Sequence, residues 1–80
     1  MSVSFSTFDR LKSKGVAAYK NGEYLTARTY LADAAECLLS LAEQAKTPAA
    51  RRQHEELAAE LIELARECDR LHRTGRTARP

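Results

Sequence analysis

The chain has no tryptophan, three glycines and two prolines, and no apolar run of the length that crosses a bilayer. So little Gly and Pro leaves few stop signals, and the elements between them must be long. No charged N-terminal segment leads into an apolar run of the kind a secretory leader needs, so a cytoplasmic, soluble protein without a transmembrane segment is expected. The chain also lacks a Ser/His/Asp set, a Gly-rich phosphate loop and a shielded Cys and His pair. Those absences argue against an enzyme, and with it against a cofactor or a small-molecule substrate. Its two cysteines, Cys37 and Cys68, could pair only if the fold brought them together. The helix register derived below sets them about 16 Å apart at ~1.5 Å of rise per residue, so both are expected to be reduced core residues.

What the chain does contain is 44% hydrophobic and 30% charged residues over 80 positions. That balance suits one small amphipathic helical domain and is too apolar for a disordered chain. The charge is uneven. Arg70, Arg73, Arg76 and Arg79 all follow the last acid, Asp69, and leave the body near neutral. Residues 1–73 are therefore read as the folded domain, and residues 74–80 as a basic tail or linker. Four arginines can touch phosphates, but no aromatic side chain in the tail can stack a base, so nucleic acid is not the expected partner.

Helical periodicity recurs three times. Ser6 and Asp9 resemble a capping box, with Phe5 stapling the start, which begins a first helix over about residues 7–20. Phe8, Leu11, Gly15, Ala18 and Tyr19 share one of its faces. A mid-helix glycine costs roughly 1 kcal/mol against alanine, so Gly15 marks a close backbone approach. Asn21-Gly22 then ends the helix, with Gly22 free to adopt the left-handed conformation. A second helix over about 23–46 carries Ala27, Leu31, Ala34, Leu38, Leu41 and Ala45, with Ala35, Leu39 and Ala42 as a second stripe beside them. An apolar surface that wide needs neighbours on two sides, so this helix is central. Thr47-Pro48 caps and starts a third helix that runs to about residue 72. Its apolar seam is Ala50, Leu57, Leu61, Leu64, Cys68 and Leu71, broken by His54, with Ala58, Ile62 and Ala65 alongside. The expected fold is all-α, an antiparallel up-down-up three-helix bundle. Helices 2 and 3 should oppose residues whose numbers sum to about 94, which puts Cys37 against Leu57.

The run from Ala17-Ala18-Tyr19-Lys20-Asn21-Gly22-Glu23-Tyr24 through Ala27, Tyr30 and Ala34 resembles one tetratricopeptide repeat. No second copy follows, and one long helix closes the fold. Together with Leu61-Ile62-Glu63-Leu64-Ala65-Arg66-Glu67 in helix 3, this pattern resembles the MIT domain, the microtubule-interacting and trafficking module. The resemblance implies a three-helix adaptor that binds a short helical or extended peptide motif, often at the N-terminus of an AAA ATPase. It also implies a peptide groove between helices 2 and 3. In this sequence the groove would be floored by Ala35, Leu39, Ala42, Ala58, Ile62 and Ala65.

Beside that floor, Glu56, Glu60, Glu63 and Glu67 recur at helical spacing as an acidic rim, partly paired with Arg52, Arg66 and Arg70. Such a rim would steer a basic ligand. His54 with Cys37 falls short of the ligand number that zinc needs, so no metal is expected. The main reading is thus a non-catalytic adaptor, monomeric as an isolated domain, with a protein partner. The alternative is a structural module whose grooves pair with another copy or another domain.

Overall fold

The computed structural model describes residues 4–74, which form three helices: α1 Phe5–Lys20, α2 Tyr24–Glu43 and α3 Pro48–Thr74. No strand occurs among the described residues. Of the tail expected over residues 74–80, Thr74 is helical, the last residue of α3, and residues 75–80, including the stop signals Gly75 and Pro80, lie outside the described residues.

Helix α1 starts earlier than the capping box suggests. Ser4, not Ser6, takes the extended N-cap conformation, and its side chain accepts a hydrogen bond from the Thr7 amide at 3.2 Å. Ser6 and Asp9 are helical residues, and Phe5 occupies the first helical position, so it is not the residue that staples the start. Both serines have a suitable side chain, and Ser4 is the one whose backbone is extended, with φ of −139° and ψ of 163°. At the other end the expected stop is present. Gly22 has φ of 80°, the Gly22 amide donates to the Tyr19 carbonyl, and the Glu23 amide donates to the Ala18 carbonyl at 2.9 Å. This pair of bonds satisfies the last carbonyls of α1 and turns the chain sharply into α2.

Helix α2 ends at Glu43, three residues before the expected Lys46. The reason lies in the next helix. Thr47 precedes a proline, which disfavours helical backbone there, and Thr47 is needed as the cap of α3, where its hydroxyl accepts from the Ala50 amide at 3.1 Å. The chain must leave the helix before that point. The Ala42 carbonyl at this end accepts from the Ala45 amide and also from the Arg51 Nε–H at 3.3 Å.

Contacts fix the directions. Ser4 at the start of α1 accepts from the Cys37 thiol, while Gly15 lies against Leu31, so α1 and α2 run oppositely. Arg51 meets Ala42 and Arg28 meets Asp69, so α2 and α3 also run oppositely, close to the expected register. Both outer helices pack mainly on α2 and barely on each other. One direct link is the edge-on contact of the Phe5 and His54 rings at 5.2 Å. The core is built on α2: Ala27, Leu31, Ala34, Ala35 and Leu38 are at most 1% exposed. Phe8 and Ala18 cover it from α1, and Ala58, Leu61, Ala65 and Cys68 cover it from α3. No polar or charged side chain is buried among the described residues. Two aromatic contacts brace the hairpin, with the Tyr19 and Tyr24 rings edge-on at 5.7 Å and Lys14 over the Tyr30 ring at 5.9 Å.

Candidate functional site

Helices α2 and α3 touch closely through small side chains and then part on one face. Ala35, Ala42, Ala58 and Ala65 are all buried, which lets the two backbones approach. On the outer side of this contact a cavity of about 470 Å³ opens. Its apolar floor is Ala32 from α2 with Ile62 and Ala65 from α3, and Thr29 lies beside them. Its lips are charged. Arg28 donates to Asp69 at 2.6 Å across the helix pair, Arg73 approaches the second Asp69 oxygen at 3.0 Å, and Asp33 and Arg66 flank the rest.

Of the six expected floor residues, Ile62 and Ala65 line this cavity. Ala35, Ala42 and Ala58 lie inside the helix contact, at 2% exposure or less. Leu39 is 39% exposed on α2. It stands seven residues after Ala32, two helical turns along the same side, so it extends the apolar floor beyond the cavity. Leu25, 41% exposed, stands seven residues before Ala32 and extends the floor in the other direction. Leu25, Arg28, Asp33 and Asp69 were not singled out by the periodicity. The signal that finds Leu25 is the seven-residue spacing of Leu25, Ala32 and Leu39; the charged lips carry no local signal, because Arg28 and Asp69 are distant in sequence.

Of the four expected rim glutamates, Glu56, Glu60 and Glu63 are exposed and Glu67 is half-buried. Glu63 pairs with Arg66 at 3.4 Å and Glu67 with Arg70, each along α3 itself. None of the four lines the cavity. They form a charged outer face of α3, separated from the floor by Arg66.

A second, smaller hollow of about 300 Å³ lies between α1 and α2, with Leu11 and Cys37 at its base and Asp33 and Glu36 at its edge. Burial pushes the Cys37 thiol above its ordinary pKa, and does the same to Cys68. Both cysteines are free and buried. His54 sits against Phe5, and no group of three or more His, Cys, Asp or Glu side chains is gathered among the described residues. No helix of the described residues is long and apolar enough to cross a membrane. Compared with family models, with curated proteins and with solved structures, the chain matches none.

Proposed function

We propose that this chain is a non-catalytic interaction domain of the MIT kind, which takes a short helical or extended segment of a protein partner into the groove between α2 and α3. The observation that carries this reading is the open cavity with an apolar floor of Ala32, Ile62 and Ala65, continued along α2 by the exposed Leu25 and Leu39. An amphipathic segment laid there would bury its apolar anchors between two helices, while its polar flanks met Arg28, Asp33, Arg66 and Asp69. The mixed charge of the lips favours a segment that carries both signs. The glutamates on the outer face of α3 would act at longer range, raising the rate at which a basic ligand arrives more than its final affinity. Joined to a catalytic machine such as an AAA ATPase, the domain would bring that machine to its target, the role implied by the MIT resemblance of Tyr24, Ala27, Tyr30 and Ala34 together with the Leu61 to Glu67 segment.

The test starts from chains captured by the isolated domain and identified. Each is then titrated against the parent domain and against Ile62→Asp and Leu39→Asp variants whose helical signal is intact. Loss of at least ~10-fold in affinity, about 1.4 kcal/mol, is expected in both variants. Undiminished binding in both eliminates this groove.

A further inference from the structure

The exposed stripe of α2 reads alike from either direction about Ala32. Leu25 stands seven residues before it and Leu39 seven after; Arg28 stands four before it and Glu36 four after, with opposite charge. All four are exposed, Ala32 is half-buried, and Leu25 and Leu39 are two of the three large exposed hydrophobic residues among the described positions. We propose that this face pairs with a second copy of the chain, α2 antiparallel to α2, with the two-fold axis passing beside Ala32.

In a two-fold contact every pairing occurs twice, so a self-complementary patch is what the symmetry requires. Antiparallel pairing about Ala32 sets Leu25 against the partner's Leu39 and Arg28 against the partner's Glu36, and each contact is repeated on the other side of the axis. Parallel pairing would set Leu25 on Leu25 and Arg28 on Arg28, which keeps the apolar contact and makes the charges repel. Ala32 at the axis is small enough for the backbones to approach, and Ile62, which shares the cavity with Ala32, adds apolar area next to it.

The patch is small. With two leucines, an alanine and part of an isoleucine from each copy, it falls in the class of weak interfaces, with a dissociation constant on the order of 100 µM. Dilute chains are monomers, and copies tethered together, which reach millimolar effective concentrations, pair. The pair covers the same groove as a bound segment would, so self-association and ligand exclude one another. The pairing itself is independent of the ligand reading, because it is measured on the chain alone.

Sedimentation equilibrium from about 10 µM to about 1 mM should show the parent chain passing from monomer to dimer. Glu36→Arg leaves the Arg28 to Asp69 pair in place but sets arginine opposite arginine, and Arg28→Glu sets glutamate opposite glutamate. Each variant, with its helical signal intact, should dimerise at least tenfold more weakly. An equimolar mixture of the two should regain the dimer, because each copy then meets the opposite charge on both sides of the axis. A parent chain that remains monomeric throughout, a dimer unaffected by both reversals, or a mixture no better than its components would each overturn the proposal.

Discussion

The two sides of α2 are packed in different ways. Toward α1 the contact closes at Gly15 around one leucine, where an added Cβ would lie 2.8 Å from the fully buried Leu31 side chain, and only the smaller hollow at Leu11 and Cys37 interrupts it. Toward α3 the contact is sealed at Ala35, Ala42, Ala58 and Ala65, but a larger cavity lined by Ala32 and Ile62 opens beside it, with the charged bridge from Arg28 to Asp69 at its lip. One side of the helix is used for stability. The other combines close packing with an accessible apolar surface, which is the combination that recognition of a protein segment requires.

The largest expected effect tests the closed side. Leu31→Ala should destabilise the fold by about 2 to 5 kcal/mol, since a fully enclosed side chain is removed and the surrounding helices relax only in part. Gly15→Ala should cost about 1 to 3 kcal/mol despite its better helix propensity, because the added methyl meets a leucine that has no room to move. The combined variant is the sharper test. The alanine methyl at position 15 would enter the space vacated at position 31, so the double change should cost less than the sum of the single ones in chemical denaturation. Strict additivity would mean that the two residues do not share a contact.

A smaller effect distinguishes the thiols that lie on either side of α2. Burial raises both Cys37 and Cys68, so the folded chain holds these protons more tightly than the unfolded chain does. The resulting stabilisation is complete below the ordinary thiol pKa of ~8.5 and is lost as pH rises through it toward the raised folded values. Urea midpoints measured from neutral to alkaline pH should therefore fall, and the fall should be shallower in a Cys37→Ala, Cys68→Ala variant. Each single variant then shows which side contributes more of the slope.

The smallest effect belongs to the open side. Arg28 and Asp69 keep side-chain exposures of 44% and 31%, so their short bridge is screened by water and should be worth at most about 1 kcal/mol. Arg28→Met, which keeps the apolar stem, should shift the urea midpoint little, and the shift should shrink further at high salt. A loss comparable with that of Leu31→Ala would show that the charged lip, not the alanine contact, holds α3 in place.

Much of the fold was legible because its signals are local or periodic. The wide apolar surface of the second helix announced two neighbours, Asn21-Gly22 announced the turn, and Thr47-Pro48 announced the last helix. Gly15 announced a close approach, and Leu31 lies there. The structure departs from these signals at helix ends, where two local signals compete. Ser4 and Ser6 are equally able caps, and the end of α2 depends on the conformation that Thr47 must adopt for α3. The groove was legible only in part. Ile62 and Ala65 were placed by their spacing, whereas Ala35, Ala42 and Ala58 have the same spacing and lie inside the contact. Alanine spacing identifies a helix face but not its distance from a neighbour.

The sequence by itself determined three helices, their order, the central position of α2 and the residues that could form its two apolar stripes, since each of these follows from repeats of three and four or from the backbone limits of Gly and Pro. Only the tertiary structure decided which part of those stripes is sealed and which part is open. That outcome depends on how α3 packs on α2 through several buried alanines together, and on a bridge between Arg28 and Asp69, residues that become neighbours only when the chain has folded back on itself.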